Sequence, residues 1–67
     1  MYNQEILVKI LNLHTVEKTA EFCEIVALMY DIKYNATKEL EPLSEFDFER
    51  VWWSDAAKEL NKQFNLE

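Results

Sequence analysis

The residues best equipped for chemistry are His14, Glu17 and Glu21, followed by Cys23. Steps of three and four place the first three side chains on one helix face. An imidazole beside two carboxylates is raw material for a metal site or an acid–base pair. The order is nevertheless reversed from the Glu-x-x-His pattern of di-iron carboxylate proteins, which also draws carboxylates from other helices. The chain contains one His, and a lone His does not furnish the ligand set that Zn²⁺ prefers. These three therefore read as a corner histidine beside a solvated acidic strip, with no metal and no cofactor expected.

Cys23 is the single cysteine. A reactive thiolate needs a base and an electropositive, accessible setting. Cys23 instead sits within the most apolar stretch of the chain, as a buried structural thiol does. Without a second cysteine there is no internal disulfide, which suits a reducing compartment. Glycine is absent. Phosphate-binding loops, dinucleotide fingerprints and the nucleophile elbow all need Gly for close backbone approach or a strained turn. The composition therefore points away from an enzyme, and no catalytic residue is assigned.

A second cluster carries charge rather than chemistry. Glu39, Glu41, Glu45, Asp47 and Glu49 are five acids within eleven residues, with no base among them. They form either a solvated loop and helix start or an acidic docking surface. In the second case the chain would mimic nucleic acid and inhibit a host nucleic-acid enzyme, as small phage or mobile-element proteins do. Abundant Asn, Lys, Ile and Tyr fit an AT-rich gene of that kind. With 13 acids against 7 bases and a net charge of −6, direct nucleic-acid binding is not expected, since a phosphate backbone asks for a clustered basic face.

These groups must be positioned by helices. The central stretch, Phe22 to Ile32, has nine apolar residues in eleven. With Phe22 at zero on a wheel of about 100° per residue, Cys23, Ile25, Val26, Met29 and Tyr30 fall within roughly 100° on either side. Ala27, Leu28 and Ile32 widen the arc to about 260°. A surface helix shows a much narrower stripe. This one must touch two other helices, or one helix and another chain. It is too short to cross a membrane, which takes about 20 apolar residues.

Upstream, Asn3 is the expected N-cap of a first helix through Leu13, with Glu5, Lys9 and Asn12 as its wet edge. Continued in phase, Ile6, Ile10 and Leu13 would land at roughly 180–240°, on the acidic strip of the central helix. A break at Leu13–His14–Thr15 removes that conflict and makes Thr15 the next N-cap. The second helix is expected over Val16–Glu39, ending before Pro42 at the latest, or earlier, near Asn35, which tolerates the left-handed cap conformation. A third is expected over Glu45–Phe64. Ser44 and Asp47 have capping-box spacing, and Phe46, Trp53, Ala57, Leu60 and Phe64 form the stripe. Ser54-Asp55 could cap a fresh helix and kink the third.

The fold class expected is all-α: one small three-helix bundle over residues 1–65. Leu66-Glu67 has the look of a tag junction. A chain of this size hides only about 60% of its unfolded surface, yet 49% of its residues are hydrophobic. Completion by oligomerisation is therefore expected. The function read from the sequence is a non-enzymatic protein-interaction and assembly module, a homo-oligomer located in the cytoplasm. Phe48, Val51 and Trp52, which lie off the main stripe, together with Leu28 and Tyr30 form the expected partner interface.

Overall fold

The computed structural model describes residues 2–41 and 44–63. They form three helices: α1 (Tyr2–Leu13), α2 (Val16–Thr37) and α3 (Glu45–Gln63). No strand occurs among the described residues. Pro42, Phe64 and the Leu66-Glu67 pair lie outside them. No described helix is long and apolar enough to cross a membrane.

The α1–α2 break falls where the helical phase demands it. His14 and Thr15 separate the two helices. Thr15 takes an extended conformation (φ −69°, ψ 161°), and its hydroxyl accepts from the Lys18 amide at 3.1 Å. One otherwise orphaned N–H at the helix start is thereby satisfied. Asn3 does not cap α1, which already includes Tyr2. Its side-chain amide is instead directed across the fold to α3.

The end of α2 comes earlier than the expected Glu39. The last helical residue is Thr37, whose hydroxyl donates back to the Lys33 carbonyl at 3.0 Å. The Thr37 carbonyl accepts from the amides of both Leu40 (2.9 Å) and Glu41 (2.8 Å). Such three-residue closure tightens a last turn into a stop without any glycine. At the start of α3, the Ser44 hydroxyl accepts from the Phe46 amide at 2.9 Å. The reciprocal arm of a capping box is not made. The Asp47 carboxylate turns forward to Arg50 instead, at 2.6 Å. α3 is continuous through Ser54 and Asp55.

α2 and α3 form an antiparallel hairpin. Tyr30 lies against Phe46 near one end, with ring centroids 6.2 Å apart, and Asn61 donates to Glu24 toward the other. The core between them is built from Ala20, Cys23, Trp53, Ala57 and Leu60. Thr19 is fully buried too, its hydroxyl donating to the Thr15 carbonyl at 2.9 Å. α1 lays Ile6, Leu7 and Leu11 against this core from the side. The Trp53, Ala57 and Leu60 stripe expected of α3 is thus inside.

α2 is oriented differently from the wheel centred on Phe22. Its buried line runs through Val16, Thr19, Ala20, Cys23, Val26, Ala27 and Tyr30, about 100° around from Phe22. Small side chains on both helices allow close approach. The bulkier Phe22, Ile25, Leu28, Met29 and Ile32 are turned outward and exposed.

The molecule is flat and open. Its Cα atoms span 38 × 24 × 14 Å, with a radius of gyration of 12.7 Å, against about 11 Å for a compact chain of this length. The accessible surface is 5266 Å². A compact monomer of this mass exposes about 4,450 Å².

Candidate interaction surface

Five of the ten large hydrophobic side chains exposed among the described residues stand on the outer face of α2. Ile25, Leu28 and Ile32 are 58, 59 and 61% exposed, and Met29 and Phe22 are exposed beside them. Phe22, Ile25, Met29 and Ile32 follow one another by three, four and three residues, the spacing of a coiled-coil seam. Ala36, exposed too, extends the line by four. This stripe lies about 140° from the buried one, so α2 carries two apolar faces. Phe22 touches the core through an edge-on contact with Trp53 at 6.3 Å.

The expected interface residues are not all on one surface. Phe48 (70% exposed) and Val51 stand out on α3. Trp52 is half-buried, its ring edge-on to Trp53 at 4.9 Å. Tyr30 belongs to the α2–α3 contact with Phe46 rather than to a free face. Leu28 borders the outer stripe, on the side of a groove that it shares with Arg50 and Ser54. Sequence reasoning did not single out Phe22, Ile25, Met29 and Ile32 as a contact line. The signal was available as a second three–four spacing within the same apolar run.

The acidic cluster divides in two. Glu39, Glu41 and Glu45 are exposed. Asp47 is held by Arg50, which contacts it through Nε at 2.7 Å and Nη2 at 2.6 Å. Arg50 also reaches Asp31 at 3.7 Å and stacks over the Tyr34 ring at 5.0 Å. Glu49 is a strut. Its Oε2 accepts from the Asn3 amide at 2.7 Å and from the Trp53 indole N–H at 3.2 Å. One carboxylate oxygen therefore joins α1 to α3 and satisfies a buried donor.

The chemically equipped residues are not assembled into a site. His14 is exposed at the α1–α2 corner. It lines an open groove of about 300 Å³ with Ile10, Lys18, Glu21, Phe22 and Ile25. Among the described residues no three His, Cys, Asp or Glu side chains lie close enough together to hold a metal ion. Cys23 is 0% exposed. Burial, with the neighbouring Glu24 charge, pushes its thiol up to about 11. At neutral pH it is a protonated packing group, and the nucleophilic thiolate is disfavoured. Comparison with known protein families, curated proteins and solved structures finds no match for this chain.

Proposed function

We propose that this protein is a non-enzymatic assembly module that self-associates by burying the outer face of α2 against another chain. The exposed Phe48–Val51 edge of α3 contributes a second apolar contact. The observation that carries this reading is the open line of Phe22, Ile25, Leu28, Met29 and Ile32, five large apolar side chains on one helix. The surface excess over a compact monomer, about 800 Å², supports it.

The energetics are compatible. Full burial of a large apolar side chain is worth about 1.5–3 kcal/mol, so a half-exposed one has about 1 kcal/mol still to gain. Doubled across a contact between two copies, the α2 stripe contributes about 10 kcal/mol gross. Association costs about 4–15 kcal/mol in lost translational and rotational freedom. The two are of one size, so assembly falls where dilution reveals it. Acids on the opposite strip of α2, Glu17, Glu24 and Asp31, stay outside the contact and keep the net charge of the complex away from zero.

Inhibition of a nucleic-acid enzyme by acidic mimicry has weaker support. Asp47 and Glu49 are engaged within the fold, which leaves three of the five acids free to dock. The test of the assembly reading is mass in solution, by sedimentation or light scattering, across a dilution series. The expected result is a species of at least twice the chain mass that dissociates on dilution. A strict monomer at every concentration removes self-association.

A further inference from the structure

We infer that the occupant of the α2 outer face is a second copy of this chain, docked antiparallel, α2 on α2, about a two-fold axis that crosses the outer face at the level of residue 27. The inference rests on the assembly reading above and specifies its geometry.

The stripe is self-complementary in that orientation. Its seam positions are Lys18, Phe22, Ile25, Met29, Ile32 and Ala36, separated by alternating steps of four and three. Turned end for end about residue 27, Phe22 falls opposite Ile32 of the second copy and Ile25 opposite its Met29. Lys18 falls opposite its Ala36. A closed two-fold interface requires this kind of reciprocal pairing. Each layer sets apolar against apolar, except the outermost. There the Lys18 stem covers the small Ala36 side chain while its ammonium reaches water.

A parallel pairing is worse at three points. It stacks Lys18 on Lys18 in one seam layer, with like charges adjacent. It sets Leu28 against the Lys33 side of the other helix, whereas the antiparallel pairing puts the two Leu28 side chains near each other along one flank of the seam. It also puts like halves together. The first half of α2 holds Glu17, Glu21 and Glu24 against Lys18, whereas the second holds Asp31 against Lys33. Antiparallel docking faces the acidic half with the balanced one and opposes the helix dipoles. Lys33 does not intrude on the seam. Its Nζ lies over the Tyr30 and Phe46 rings, at 5.5 and 5.7 Å from their centroids.

The surplus surface, about 800 Å² over the chain as a whole, is comparable to one partner's share of a standard interface, also about 800 Å². The groove beside Ile10, Phe22 and Ile25 is open along the stripe. It is where Ile32 and Ala36 of the second copy would seat.

The experiment places a spin label at Glu17→Cys in a Cys23→Ala background and measures label-to-label distance and solution mass on the same sample. Glu17 is exposed and lies off the seam, so the label disturbs neither the core nor the contact. Antiparallel docking separates the labels by about 30 Å along the axis, at 1.5 Å per residue. Parallel docking leaves them at one level, about 20 Å apart across the helix pair, given helix spacings of about 8–10 Å. A dimer with the long separation supports the inference. A dimer with the short one overturns it and leaves the assembly reading standing. A monomer without dipolar coupling overturns both. The companion variant Met29→Glu should raise the dimer dissociation constant roughly tenfold or more, because its charge would be buried unpaired. A dimer indifferent to Met29→Glu uses another face, which also overturns the inference.

Discussion

Replacing Glu49 by alanine removes one oxygen atom that holds two elements in place. In the native fold Glu49 Oε2 accepts from Asn3 on α1 at 2.7 Å and from the Trp53 indole N–H at 3.2 Å. Asn3 is half-buried and can turn its amide to water after the substitution. Trp53 is 3% exposed, so its N–H is left without an acceptor. An orphaned buried donor costs about 1–3 kcal/mol, with hydrogen bonds to charged groups at the upper end. The expected loss for Glu49→Ala is therefore about 2–3 kcal/mol. A chain of this length has about 3–10 kcal/mol in all, so the midpoint of thermal unfolding should fall by about 10–20 °C. Glu49→Gln keeps a carbonyl acceptor and should lose roughly half as much. The assay is denaturant unfolding followed by indole fluorescence and far-UV circular dichroism. Protein concentration is held constant, because any self-association would shift the apparent stability. Asn3→Ala, combined with Glu49→Ala in a double-mutant cycle, isolates the tie between α1 and α3. If Glu49→Ala unfolds within about 0.5 kcal/mol of the native chain, a range typical of neutral surface changes, the strut has no energetic role.

Two further outcomes follow from the same geometry. Thr15→Ala removes the N-cap acceptor of α2 and should cost about 1 kcal/mol, read as a fall in denaturation midpoint; Thr15→Ser should restore most of it. The Cys23 thiol, raised from 9.0 to about 11 by burial and then by Glu24, holds its proton more tightly when folded than when unfolded. Its contribution is fully present below pH 9 and is lost as pH rises from 9 to 11, a loss of roughly 2 kcal/mol. The difference in stability between the native chain and Cys23→Ala should change over that interval, and a flat difference would refute the assignment. The thiol should also resist alkylation at neutral pH until the chain is unfolded.

Much of the architecture was readable from helical phase. The apolar faces on either side of His14 cannot both be inward on one continuous helix, so the chain must turn there, and Thr15 is a residue able to cap the turn. The Trp53–Ala57–Leu60 line was equally plain, because its spacing matches a single face. The orientation of α2 was not. Its run is apolar on both sides, and hydrophobicity alone weighs Phe22 and Ile25 above Thr19, Ala20 and Cys23. Packing reversed that order, since two helices approach closely only where side chains are small. Asn3 was misassigned because its partner, Glu49, is 46 positions away, beyond any local pattern. The pairing of Asp47 with Arg50 was a local i, i+3 contact and could have been anticipated. It removes one acid from the docking cluster, as the Glu49 strut removes another. The early stop of α2 at Thr37 came from a hydroxyl and two converging amides, where the sequence offered neither Gly nor a nearer Pro.

Among the described residues the fully buried interior is furnished mostly with Ala, Cys, Thr and Ser, and most of the large aliphatic groups stand nearer the surface. That inversion changes which substitutions the isolated fold tolerates. In an ordinary domain, truncation at the centre is the dominant injury, because each lost methylene leaves a void. Here Trp53 and Leu60 are the large side chains among the described buried residues, and the others offer little to trim. Enlargement is the sensitive direction: a leucine at Ala20 or Ala57 would wedge α2 and α3 apart and disturb every contact along the hairpin. Trimming Ile25, Ile32 or Phe48 would scarcely be felt by one copy alone. A tolerance map of the single chain would thus run opposite to the usual one, lenient toward loss of bulk and strict toward its gain.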